Sequence, residues 1–125
     1  MRLNSTGTLT ETFDGIIVSY RTPIYREFQT NTRVLKVFND TYYSATTRKH
    51  QARISDYKNY ADLILHYCPY GDWSLDTALK NEISITEYEL EKLNNKTRKL
   101  GKRQAEQKEY LTKRLQELQK LYAEV

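Results

Sequence analysis

Residues 92–103 hold six cations, Lys92, Lys96, Arg98, Lys99, Lys102 and Arg103, and no acid. They follow directly on residues 72–91, which carry six acids and one lysine. A reversal of sign over so short a stretch concentrates positive potential, and the chemistry it suits is the docking of a polyanion through its phosphates. About four to six such contacts on duplex DNA imply a slope of log affinity against log salt of about −4 to −5. A solvated helix face that binds nothing is the plainer reading of the same residues, and pairing with the acidic block is a third. A second basic group, Arg48, Lys49 and Arg53, falls in and just after the first turn of an expected helix. Cations in a first turn oppose the helix dipole by about 0.3–1 kcal/mol each unless an anion offsets them.

Residues suited to catalysis or metal binding are few. His50, His66 and Cys68 are the only histidines and the only cysteine, at no recognised zinc spacing. Cys68 precedes Pro69 at an expected helix end, away from any helix amino terminus that would lower its pKa. The chain has no glycine-rich phosphate loop, no nucleophile elbow and no prominent carboxylate pair. No catalytic residue, metal site or cofactor is therefore assigned, and a non-enzymatic protein is expected. Eleven tyrosines, several beside cations as in Tyr20-Arg21 and Tyr25-Arg26, suit either cross-strand packing or a platform for stacking unpaired bases.

The segments Tyr20-Arg21-Thr22-Pro23-Ile24 and Tyr43-Ser44-Ala45-Thr46-Thr47-Arg48-Lys49-His50 fit the forms Tyr-x-Thr-x-Ile and Tyr-Ser-x-Thr-Thr-x-Lys-His. In this the chain resembles small phage and mobile-element proteins of unassigned chemistry. The resemblance spans roughly residues 15–53 and stops short of the carboxyl-terminal helix. It implies a viral or mobile-element origin rather than an activity, and with it DNA handling or inhibition of a host defence complex.

The elements that must position these residues follow from texture and spacing. With 125 residues, 38% apolar and 29% charged, one domain with a modest core and long, solvent-washed helices is expected. The net charge of +4 permits an anionic partner without requiring one. A single cysteine needs no oxidising compartment, and no apolar run approaches the ~18 residues of a membrane span. A cytoplasmic location, in the host cell if viral, is the expectation, with no membrane contact.

Residues 1–12 read as a polar lead-in. Residues 16–20, 24–28 and 33–38 are β-branched and aromatic runs of strand length, with a polar turn at 29–32 and Pro23 placed at an edge or bulge. Asn39-Asp40 suggests a tight hairpin into a fourth strand, 41–44. Thr46 or Thr47 then caps a helix over 46–67, ended by Pro69-Tyr70-Gly71-Asp72, and a short helix follows over 74–80. A last helix, over about 86–124, starts at a capping box on Thr86 with Ile85 and Leu90 as a staple. Its seam runs Leu90, Leu93, Thr97, Leu100, Gln104, Lys108, Leu111, Leu115, Leu118, Tyr122 and Val125. The absence of a good cap after Gly101 favours a continuous or kinked helix over a break there.

The expected fold is α+β: a three- to four-stranded antiparallel sheet on a helix (1–80), then a helical arm (81–125). The seam at Leu111, Leu115, Leu118 and Tyr122 either folds back as a hairpin or pairs two protomers as a homodimer. The leading expectation for function is a binding protein that contacts DNA or RNA through both basic groups. Its rival is a protein-interaction module acting on a host protein complex, such as an anti-CRISPR-like inhibitor of a defence nuclease, or a coiled-coil scaffold.

Overall fold

A computed structural model of the chain describes residues 9–12, 14–96 and 98–125. The β-branched runs form β1 (Leu9–Glu11), β2 (Ile17–Ser19), β3 (Thr22–Gln29) and β4 (Val34–Asn39). Two helices, α1 (Ala45–Arg53) and α2 (Ser55–Tyr60), lead to β5 (Leu63–Leu65), and α3 (Leu75–Asn94) and α4 (Lys102–Glu124) complete the chain. The sheet order is β1-β2-β3-β4-β5, antiparallel throughout except for β5, which runs parallel to β4. The α+β expectation holds, with five strands instead of three or four.

The β3–β4 turn is built as its residue types suggest. Thr30 N–H donates to the Arg33 carbonyl at 2.8 Å, while Thr30 Oγ1 accepts from Arg33 N–H at 3.1 Å. Pro23 sits in an interior strand, beside the register shift that sets Ile17 opposite Tyr25 and Val18 opposite Pro23. A bulge is where a residue with no N–H to donate is tolerated, and it re-aims the side chains around it. Ile24 and Tyr25 accordingly enter the same core cluster although they are consecutive.

Successive strand residues face opposite sides of the sheet, and this one is buried on both. Leu35, Val37, Leu63 and Leu65 join Trp73, Ala78, Leu79 and Leu118 on one side, covered by α3 and α4. Phe38 and Ile64 join Ile17, Ile24, Tyr25 and Ile54 on the other, covered by α1 and α2. Arg26 pins the chain entering α3: its guanidinium lies 4.7 Å from the Phe28 ring centre and 5.3 Å from that of Trp73. It also donates to the Trp73 carbonyl at 2.5 Å, and Trp73 Nε1 donates to the Pro23 carbonyl at 3.0 Å.

Several boundaries differ from expectation, each for a local reason. Leu9–Glu11, within the expected lead-in, is a strand paired with β2; residues 1–8 lie outside the described residues. The strand expected over 41–44 is a loop, because Asn39 and Asp40 are engaged elsewhere. Asn39 donates to the Pro23 carbonyl and accepts from Thr41 N–H, and Asp40 binds two cations. Ser44, not Thr46 or Thr47, caps α1 by accepting from Thr47 N–H.

The helix expected over 46–67 ends at Tyr60. Asp62 exchanges backbone and carboxylate hydrogen bonds with Lys36 and docks β5 beside β4, where Leu63 and Leu65 are buried. Ser74 caps a single 20-residue α3 by accepting from Thr77 N–H. Thr86, the expected cap, lies inside that helix with its hydroxyl donating to the Glu82 carbonyl at 2.6 Å. α3 ends at Asn94 and α4 starts at Lys102, with Gly101 as its extended cap at φ −67°, so the continuous helix is not formed. Thr97 of the seam is outside the described residues.

The long helices form a hairpin that returns α4 to the sheet, where Leu118 is 1% exposed and Leu121 and Tyr122 pack on the same core. Of the seam assigned to pairing between protomers, Leu118 is thus consumed within the chain, Tyr122 packs on the core, and Leu111 and Leu115 are half-buried. Glu82 of α3 and Arg114 of α4 fasten the hairpin to β5. Glu82 is fully buried; its Oε1 accepts from His66 N–H at 2.6 Å and from Tyr67 N–H. Arg114 Nη2 donates to the Ile64 carbonyl at 2.6 Å and to Glu82 Oε2 at 3.1 Å.

Removing one partner of a buried pair leaves the other charge unmatched, at about 3–5 kcal/mol. Glu82→Ala should lower the urea-unfolding free energy by that amount. Glu109→Ala, which deletes only an exposed pair with Lys113, should leave the transition within error. A loss under about 1 kcal/mol for Glu82→Ala, the scale of a surface ion pair, contradicts the assignment.

Candidate nucleic-acid interface

The hairpin splits the basic stretch between its two ends and its turn. Lys92 lies in the last turn of α3, Lys96, Arg98 and Lys99 in the connection, and Lys102 and Arg103 in the first turn of α4. All six are exposed. Lys92 pairs with Glu89 at 3.5 Å, whereas the other five make no ion pair among the described residues. Between Thr86 and Leu118, Leu93 is the one buried residue among those described, so the outer half of the hairpin packs only on itself. Folding therefore gathers all six cations of the stretch onto one protruding tip.

The start of α4 adds to that field. Gly101 has no side chain to accept from the first helical amides, and the first turn holds no acid. Unsatisfied N–H groups and the positive end of the helix dipole then point the same way as Lys102 and Arg103. An anion between them would relieve both the dipole conflict and the mutual repulsion.

The second basic group fares differently. Arg48 Nη1 lies 2.7 Å from Asp40 Oδ1 and Lys58 Nζ lies 3.0 Å from Asp40 Oδ2, so one carboxylate holds two cations. Arg48 also donates to the Asp40 carbonyl and sits over the Tyr42 ring, 5.6 Å from its centre. Arg48 therefore ties Asp40, just after β4, to α1, and its charge is already matched within the fold. Lys49 and Arg53 remain exposed, four residues apart on α1. They stand on the opposite side of the sheet from the hairpin, so the two groups do not form one surface.

The segments 20–24 and 43–50 converge in space. Ser19 Oγ, at the end of β2, lies 2.6 Å from His50 Nδ1 and 3.1 Å from Thr47 Oγ1. The neighbouring Tyr20 holds φ at +56°, a left-handed conformation uncommon for a bulky side chain, and its ring sits 6.0 Å from that of His50. Sequence reasoning missed this cluster, although the two-residue gap between β2 and β3 marks a hairpin that needs such a conformation. The geometry makes a clasp, not a nucleophile. Ser19 is 1% exposed, so its hydroxyl ties the hairpin to α1 where no substrate reaches it.

The remaining candidates for chemistry are dispersed. Burial pushes the Cys68 thiol up to about 12, keeping it protonated. Among the described residues no three His, Cys, Asp or Glu side chains lie close enough to hold a metal ion. Tyr25 is core, its ring tilted against that of Tyr57 with centres 4.7 Å apart, and Tyr43 donates to the Cys68 carbonyl at 2.8 Å; neither belongs to an open platform. No helix among the described residues is long and apolar enough to cross a membrane. Comparison with protein-family models, with curated proteins and with solved structures finds no match.

Burial lowers the pKa of His50, with Arg53 adding to the effect, and burial lowers that of His66, with Arg114 next in weight. A histidine held below its unfolded value of ~6.5 contributes stability above that pH and loses it as protons bind the unfolded chain more readily. Unfolding free energy should therefore fall as pH drops from 7.5 to 5.5, and the fall should be shallower in His50→Gln with His66→Gln. A flat or rising profile for the natural sequence would count against the desolvation that holds both rings below the ordinary histidine value.

Proposed function

We propose that this protein is a non-enzymatic binding protein that holds nucleic acid by its phosphates at the hairpin tip, through Lys96, Arg98, Lys99, Lys102 and Arg103. The observation that carries this reading is that these five exposed cations lie together within residues 96–103 and have no carboxylate partner among the described residues, whereas Arg26, Arg48, Lys58 and Arg114 are each matched to a carboxylate. Backbone contacts of this kind position a protein on its target with little sequence preference. Lys92, already tied to Glu89, contributes less. Lys49 and Arg53 form at most a minor second contact. A cytoplasmic location, in a host cell if the phage-like resemblance reflects origin, belongs to the same proposal.

A second reading is a protein-interaction module that engages a host defence nuclease or another host complex. It draws on Tyr42, Tyr67 and Tyr70, exposed on the loops after β4 and β5, since tyrosine is enriched in protein interfaces. A coiled-coil scaffold or homodimer through the α4 seam has less to offer, because Leu118 and Tyr122 already pack on the sheet.

Fluorescence anisotropy with labelled DNA and RNA across a salt series separates the readings. The natural protein should show a log–log salt slope of about −4 to −5 on duplex. Lys96→Glu with Arg98→Glu and Lys99→Glu should weaken binding and flatten the slope by about three. An undetectable or unchanged signal retires the nucleic-acid reading. A protein complex retained on a pull-down from nuclease-treated host lysate would then favour the second.

A further inference from the structure

Beside the tip cations, on the outer face of α3, lies an open notch of about 170 Å³ lined by Tyr88, Glu91, Lys92 and Asn95. We infer that this notch receives an unpaired base of the strand whose phosphates the tip holds, which makes single-stranded or looped nucleic acid the preferred ligand; this rests on the proposed function. Tyr88 is 58% exposed, one turn from Lys92, whose Nζ stands 4.8 Å from the ring centre. An exposed aromatic ring close to the basic tip suits base stacking on the side that Lys92 leaves open, because every base offers a π surface. The ammonium beside the ring adds an attraction for that surface.

The charges inside the notch distinguish base from phosphate. Lys92 is offset by Glu89 at 3.5 Å and Glu91 shares the lining, so an anion gains little there, whereas a neutral heterocycle meets no such penalty. Glu91 accepts from exocyclic amines. Asn95, whose carboxamide is not hydrogen-bonded to the described residues, offers both a donor and an acceptor to a base edge. The phosphates fall to the next residues along the chain, beginning at Lys96. A base stacked and paired within a duplex hides its face and its Watson–Crick edge from such a notch, and an unpaired one presents both.

The test compares oligonucleotides of one length, single-stranded and duplex, against the natural protein, Tyr88→Ala and Tyr88→Phe. The natural protein should bind the single strand more tightly at equal salt. Tyr88→Ala should weaken single-strand binding by about 5- to 150-fold while leaving duplex binding and the salt slope unchanged. Tyr88→Phe should retain most of the preference. Equal losses on both ligands, or none on the single strand, overturn the notch and leave the phosphate-binding tip intact. If the charge reversals at Lys96, Arg98 and Lys99 also have no effect, the proposed function falls with it. Circular dichroism on each variant checks that removal of an exposed side chain has not altered the fold.

Discussion

An open sheet edge has to be closed, and here an ion pair closes it. In a strand, the N–H and C=O of alternate residues point to the same side, so β5 turns its Leu65 carbonyl toward Asp40 at the end of β4 and its Ile64 carbonyl and His66 N–H outward. Those outward groups would be templates for another strand. Arg114 donates to the first and Glu82 accepts from the second, so two side chains from the hairpin stand in for a sixth strand. Buried charge is costly unless hydrogen bonds accompany the pairing, and four surround this pair, three of them to backbone groups.

The position of the pair along the helices shapes everything beyond it. Glu82 lies in the first half of α3 and Arg114 in the second half of α4, so the clamp holds one end of the hairpin on the sheet and leaves the other end free. The acids of residues 72–91 are largely consumed along the way. Asp72 meets Arg26, Asp76 meets Lys80, Glu82 meets Arg114 and Glu89 meets Lys92. What arrives at the turn is a cationic surface with almost nothing to neutralise it, presented on two helices of rigid spacing. The apparent dipole of charge in the linear chain is thus resolved into a matched base and an unmatched tip.

How much of this could be read from residue order depends on whether the determinant is local. The β3–β4 turn, the bulge at Pro23 and the amphipathic character of the last helix are set by neighbours within a few positions, and each was legible. The run Leu63-Ile64-Leu65 was not, because three apolar residues fit a helix face and a doubly buried strand equally well. Ser74 and Thr86 both offer cap chemistry, and tertiary packing of Leu75, Ala78 and Leu79 decided between them. The break before Gly101 was hidden by the polar middle of the seam. The cations of the tip were visible as a run, but their freedom from partners was not, and Arg48 shows how a cation in such a group is lost to a carboxylate eight residues away. The Glu82–Arg114 clamp joins residues 32 apart and leaves no signature in spacing.

Amide hydrogen exchange at His66 and Tyr67 tests the clamp most directly. If Glu82 accepts from both amides and holds the hairpin on the β5 edge, they should exchange only through global unfolding, as slowly as the most protected amides of β4 and α3. Exchange at the rate of the exposed amides near residues 98–100 would show an edge left open, and the account of how the tip is held in place would fail with it.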